Sequence, residues 1–295
     1  MHWCTFLLAL AAPALSFPLF PRETAAYPTQ RALWLWESDI IQDKTSLDNF
    51  FSVVSNHGFT KVHALVDRDM GNAAWQPFIA RCNAQGIAVE ALMGDKEWIV
   101  GGTTDDGPTL QRSLNWIEQY QKSAPANAKF SGIHLDVEPW GLDSWESNKA
   151  TYVESLLEIV DTVKSCAKPL NLRVAADLPF WSNTVACRNS KLNTCMLGHL
   201  DSITFMTYRN KPKELLEVAA PLLQAVAAAN SGTTVWLSVE TSSKCAEAEL
   251  ISYAGKSVTT LMNDLSTVEN AAAKKDSGFV GIAVHSYTEF AALSG

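Results

Sequence analysis

The stretch Phe130-Ser131-Gly132-Ile133-His134-Leu135-Asp136-Val137-Glu138-Pro139 alternates between two kinds of residue. Ile133, Leu135 and Val137 are apolar, while His134, Asp136 and Glu138 are titratable. Residues two apart in a strand share a face, so the apolar set turns toward covering helices and the titratable set turns into a barrel. Three ionisable groups in one inward column are costly to bury, which points to a working site. The plainer alternative is an inert polar layer filling the barrel.

Seven further runs of the same kind surround this one in the chain. The predicted strands are Ala32–Trp36, Lys61–Val66, Ile87–Met93, Gly132–Val137, Leu172–Ala176, Ser202–Thr207, Thr234–Val239 and Phe279–Val284. Each is short, apolar and rich in Val, Ile, Leu or aromatics, as strands buried on both faces are. Between them Leu47–Asn56, Trp75–Gln85, Thr109–Ser123, Trp145–Ala167, Glu214–Ala229 and Val258–Lys274 repeat apolar residues at helical spacing. Pro108 and Gly58 sit where helix entry and exit need them. The link between strands five and six has room for a short helix only. Eight βα units in unbroken order predict an α/β fold, a single (β/α)8 barrel over residues 28–295. An open doubly wound sheet lacks support, because no Gly-x-Gly-x-x-Gly follows the first strand.

The bulk properties agree with one such domain. The chain has 295 residues, 47% of them hydrophobic, and a net charge of −8. An acidic surface repels nucleic acid and anionic membranes, so neither is an expected partner, whereas a neutral carbohydrate is. The apolar run Phe6–Leu15 followed by small residues predicts a signal peptide over residues 1–16, an extended leader over 17–27, and secretion. No other run is long enough for a membrane span, and a monomer is expected. Of six cysteines, Cys187 and Cys195 flank a short polar segment, and in an exported chain a bridge between them is predicted. Cys82, Cys166 and Cys245 cannot be paired from sequence. No cysteine or histidine spacing suggests a metal, and no cofactor motif is present.

In this fold chemistry gathers at the strand C-terminal ends. Those ends read Trp36-Glu37, Asp67-Arg68-Asp69, Gly94-Asp95, Asp136 and Glu138, Asp177, Tyr208-Arg209, Glu240, and His285 with Tyr287. Trp98, Trp140, Trp145 and Trp181 follow in the loops. Carboxylates with flat aromatic rings suit sugars, whose C–H faces stack on such rings. The candidate catalytic residues are therefore Glu138, Asp136, Tyr208 and Glu240. The candidate substrate-binding residues are Trp36, Glu37, Asp67, Trp140, Asp177, Trp181, Arg209, His285 and Tyr287. Some of these rings could instead pack the barrel top, and Glu240 could be a rim residue paired with Arg209.

The fourth strand resembles the Asp-x-x-Asp-x-Asp-x-Glu signature of chitinase-type enzymes, glycoside hydrolase family 18, in its last two acidic positions, Asp136 and Glu138. Phe205-Met206-Thr207-Tyr208 is similar to that family's Met-x-Tyr-Asp motif. The resemblance implies that Glu138 donates a proton, and that Asp136 and Tyr208 hold a substrate acetamido group that itself attacks the sugar carbon. The chain departs from the pattern at Ser131 and His134, at Arg209 after the tyrosine, and at His285 in place of the usual tryptophan ending strand eight. Two other readings stand beside it. In a two-carboxylate retaining glycosidase, Glu138 is the acid/base and Glu240 the nucleophile. In a secreted carbohydrate-binding barrel, turnover has been lost and the groove kept.

Overall fold

The computed structural model describes residues 29–66, 69–104, 107–273 and 278–294. Eight strands close into a parallel barrel: β1 Gln30–Leu35, β2 Lys61–Leu65, β3 Ala88–Met93, β4 Gly132–Leu135, β5 Arg173–Pro179, β6 Ser202–Met206, β7 Thr234–Glu240 and β8 Phe279–His285. Each neighbours the next, and β1 closes the ring on β8 through Gln30 opposite Gly281. The chain thus has the (β/α)8 barrel that the alternation predicts. The principal helices are α1 Lys44–Asn56, α2 Asn72–Ala84, α3 Leu110–Ser123 and α4 Trp145–Ala167, then a short α5 Leu192–Leu197, α6 Pro212–Ala229, α7 Ala248–Ile251, α8 Val258–Ala273 and α9 Tyr287–Ala291. The signal and leader readings, and Asp67, lie outside the described residues. Among those residues, no helix is long and apolar enough to cross a membrane.

The alternation on each strand builds two different interiors. Outward-facing Leu33, Leu35, Ile133, Leu135 and Val137 join helix residues such as Leu156, Leu157 and Leu222 in one continuous apolar layer. Inside the barrel the apolar cluster is small: Ala32, Trp34, Leu92, Trp236 and Ala283. The remaining interior is polar, with His63, Glu90, His134, Asp177 and Thr204 all nearly inaccessible. Side-chain caps fix where helices begin. Asp43 accepts from the Ser46 backbone N–H at 2.7 Å ahead of α1, and Thr109 accepts from Arg112 N–H at 3.2 Å ahead of α3.

Two local features hold the working end in place. Gly94 follows β3, and a Cβ there would lie 1.9 Å from the Asp136 carbonyl oxygen. Only glycine lets β3 run this close to the end of β4. In the link from β5 to β6, Ala186–Cys187 and Ser190–Lys191 form a small antiparallel ribbon before α5. The predicted disulfide joins Cys187 to Cys195, with Cα atoms 6.4 Å apart. It ties this ribbon to α5, beside the loop that carries Trp181. Cys82, Cys166 and Cys245 are free thiols; Cys82 is buried, and burial pushes its pKa up to about 12.

Candidate active site

The inward face of β4 delivers its column as the alternation requires. His134 lies in the barrel, and Asp136 and Glu138 follow at the mouth. Together with Trp34, Asp177, Met206, Tyr208, Glu240 and His285 the two carboxyl groups line a cavity of about 250 Å³. The four catalytic candidates thus share one cavity, with Asp177 and His285 beside them.

Asp136 and Glu138 form a coupled pair. Burial raises both carboxyl pKa values, and the Asp177 charge adds to it; the two side chains also share a hydrogen bond. Asp136 rises furthest, well above the ordinary carboxylate range. The pair therefore binds a proton as one unit where isolated carboxyls would have lost theirs. Glu138 is further fixed by the Trp140 indole, whose N–H donates to Oε2 at 2.6 Å and favours the ionised form. Asp136 Oδ1 is buried with no hydrogen-bond partner. An orphan acceptor facing the cavity is the kind of group a ligand N–H or O–H satisfies.

Glu240 is held differently. The backbone N–H groups of Thr241 and Ser242 both donate to Oε1 at 2.7 Å, and His285 Nδ1 stands 3.0 Å from Oε2. Burial opposes charging of His285, but the Glu240 carboxylate outweighs it and raises the ring's pKa. The Trp36 indole N–H donates to His285 Nε2 at 2.7 Å. Burial, followed by the surrounding carboxylates, pushes the Tyr208 hydroxyl well above its usual range, so it remains a proton-bearing donor.

Below this cavity lies a second polar cluster that the strand-end reading missed. His63 and Glu90 face each other in register on β2 and β3. Glu90 Oε2 stands 3.1 Å from His63 Nδ1 and 3.3 Å from His134 Nδ1, while Lys61 caps Oε1 at 2.5 Å. His134 Nε2 meets Asp177 Oδ1 at 2.9 Å. His63, Glu90 and His134 bring ligand atoms within 4.8 Å of one another, a composition that resembles a metal centre. The surroundings are those of an ion-pair cluster instead. An ammonium already neutralises Glu90, and each ring nitrogen of His134 faces a carboxylate oxygen, so among the three only His63 keeps ring nitrogens without a hydrogen-bond partner. The signal in sequence was a histidine and a glutamate at inward positions of otherwise apolar strands.

The other predicted contacts sort by geometry. Trp140 and Trp181 pack edge to face at 5.6 Å and, with Trp145, line a recess of about 430 Å³ next to Glu138. Trp36 and Glu37 line another of about 530 Å³, with Trp98. Trp98 and Trp145 are largely buried, and the Trp98 indole N–H donates to the Pro108 carbonyl at 2.9 Å. Two expectations are corrected, for Tyr287 and for an Arg209–Glu240 pairing, and the place of Asp177 is sharpened. Tyr287 opens α9, is 8% exposed and packs against Phe50 of α1 at 5.1 Å, so it belongs to the outer apolar layer. Asp177 lies within β5 at 3% exposure, where it lines the cavity and also faces His134. Arg209 does not pair with Glu240; its guanidinium stacks on Phe180 at 4.8 Å and donates to the Tyr208 carbonyl at 2.6 Å.

No family model matches the sequence, and no curated protein matches it at a significant level. Solved structures do match in fold. The glycoside hydrolase domain of PgaB (BpsB) from Bordetella bronchiseptica superposes with a TM-score of 0.55 at 12% identity, covering 89% of this chain and 95% of that one. A GH18 chitinase from Pseudoalteromonas aurantia gives 0.53 at 10% identity, covering 88% and 94%. The Bacillus cereus spore cortex-lytic enzyme SleL gives 0.50 at 13% identity, covering 87% and 70%. The chain therefore has the barrel fold found among chitinase-type glycoside hydrolases, and at these identities the likeness is one of fold.

Proposed function

We propose that this chain is an exported glycoside hydrolase in which Glu138 is the general acid, assisted by Asp136 and Tyr208. The observation that carries the reading is the buried carboxyl pair Asp136–Glu138 at the mouth of a closed barrel. A glycosidic oxygen leaves poorly unless it is protonated as its bond breaks. A carboxyl group can supply that proton near neutral pH only if its environment raises its pKa, as burial and Asp177 do here. The orphan Asp136 oxygen and the protonated Tyr208 hydroxyl line the same cavity, where they suit a polar substituent beside the reacting carbon. The aromatic recess at Trp140 and Trp181 next to Glu138 supports an oligosaccharide as ligand. A disulfide at Cys187–Cys195 supports export into an oxidising compartment. N-terminal sequencing of secreted material should begin near Phe17.

A second mechanism is favoured by one feature. Glu240 shares the cavity, and two backbone N–H groups donate to its Oε1, which fixes the carboxyl where a nucleophile would stand. The experiment that tests the function is turnover of a panel of soluble oligosaccharides by the purified protein. Cleavage supports a hydrolase. Thermal protection by a sugar without cleavage would replace it with the carbohydrate-binding reading.

A further inference from the structure

His134 is fully buried on the barrel axis, and both of its ring nitrogens face carboxylate oxygens. Nδ1 is 3.3 Å from Glu90 Oε2, and Nε2 is 2.9 Å from Asp177 Oδ1. An ionised carboxylate only accepts, so an uncharged ring would leave one nitrogen lone pair aimed at another inside a dry site. Glu90 cannot easily take the proton, because Lys61 already sits on its other oxygen. Asp177 in turn neighbours Asp136 and Glu138 in the cavity above. We propose that His134 is a positioning residue, a buried imidazolium pinned between Glu90 and Asp177 that fixes the Asp177 carboxyl against the Asp136–Glu138 pair.

The charges around it balance along the barrel axis. From β2 come Lys61 and His63, from β3 Glu90, from β5 Asp177, and from the chain just past β4 Asp136 and Glu138; Tyr208, Glu240 and His285 close the cavity above. Lys61 offsets Glu90, and His134 offsets Asp177, which leaves His63 as the ring without a charge to gain. Burial and the neighbouring His134 charge depress the His63 pKa to about 4. Burial opposes charging of His134 as well, but Asp177 and then Glu90 outweigh it and lift the pKa to about 9. Two imidazoles tilted against each other, with centroids 3.8 Å apart, thus shift in opposite directions. The link to chemistry runs through Asp177, whose charge raises the pKa of both Asp136 and Glu138. His134 itself also lowers the Asp136 pKa directly, so the pair is tuned by two opposing neighbours.

The consequence for catalysis rests on Glu138 being the acid, but the charge state does not. Two-bond proton–nitrogen correlation spectra of the full-length secreted protein distinguish an imidazolium from either neutral tautomer. His134 should show two protonated ring nitrogens from pH 5 to pH 8, while His63 is neutral at pH 6. A neutral His134 at pH 6, with its proton on Asp177, overturns the proposal whether or not the protein is an enzyme. The kinetic arm uses His134→Gln, Asp177→Asn and the double variant. His134→Gln frees the Asp177 carboxyl from its ion pair, and Asp177→Asn removes the charge that raises the pKa of Asp136 and Glu138. The alkaline limb of the kcat/KM profile should move down by about one pH unit in Asp177→Asn and should move in His134→Gln as well. It should move no further in the double variant. An unmoved limb, or additive shifts, would contradict the assignment. A merely structural role for His134 would lower stability and leave the limb in place.

Discussion

His134 lies on the barrel axis with a carboxylate at each ring nitrogen, whereas His285 at the rim gives one nitrogen to Glu240 and accepts the Trp36 indole N–H on the other. The same side chain is asked for two different charge states. Two acceptors demand a doubly protonated ring; one acceptor and one donor suit the neutral Nδ1–H tautomer. The four carboxyl groups of the cavity divide accordingly. Asp177 and Glu240 each have an imidazole nitrogen within about 3 Å. Asp136 and Glu138 have no imidazole against them, and burial raises both of their pKa values. What distinguishes the reactive pair from its neighbours is the absence of a cation, in a site where burial makes that absence costly.

The comparison can be broken most severely at Asp136. Asp136→Asn removes the partner that shares the proton and fills the orphan acceptor position with an amide. We expect kcat on a cleaved oligosaccharide to fall about 10²-fold with KM little changed, measured by steady-state kinetics. Next comes the choice between Tyr208 and Glu240. If the substrate supplies its own nucleophile, Tyr208→Phe should cost roughly tenfold or more in kcat and Glu240→Gln less. Abolished turnover in Glu240→Gln, rescued by azide in Glu240→Ala, would instead establish the two-carboxylate mechanism.

Smaller effects concern stability. The folded pKa of His134, about 9, lies above its ordinary value of 6.5, so its ion pairs stabilise fully below pH 6.5 and lose that contribution as pH rises through 9. Denaturant unfolding of wild type should therefore lose ~2 kcal/mol across that window, and His134→Gln should show a flatter profile there. The mildest expected change is Trp36→Phe, which deletes one hydrogen bond to His285 and costs about 1 kcal/mol. It should also raise the His285 pKa, read by proton titration in the same spectra, because Nε2 then becomes free to take a proton.

The barrel and the reactive pair were legible in the sequence for the same reason. Period-two alternation on a strand is a direct statement of which side chains share a face, and Ile133-His134-Leu135-Asp136 makes it without ambiguity. All eight strand runs fall on observed strands, and the long helix from Trp145 to Ala167 ends where its apolar spacing ends. The Glu90 cluster was not legible, because Lys61, His63 and Glu90 lie below the strand ends, and their proximity depends on register between β2, β3 and β4. Asp177 reads as a residue just past β5, because the apolar run ends at Ala176; the strand instead runs to Pro179, and Asp177 lines the cavity from within it. Tyr287 was misplaced because the chain turns at Ser286, whose hydroxyl donates to Glu289 at 2.5 Å and starts a helix that swings the ring outward. In each case a residue's own neighbours in sequence were read correctly, and an element boundary or a non-local pairing decided the outcome.

The central claim is that Glu138 delivers a proton to the leaving oxygen. Its most direct test is the kcat of Glu138→Gln on two substrates of the same sugar, a natural oligosaccharide and an aryl glycoside whose phenolate leaves without protonation. The account predicts a loss of roughly 10²–10⁴-fold on the oligosaccharide and less than about tenfold on the aryl glycoside. An equal loss on both substrates, or wild-type kcat on the oligosaccharide by a folded Glu138→Gln protein, would contradict it.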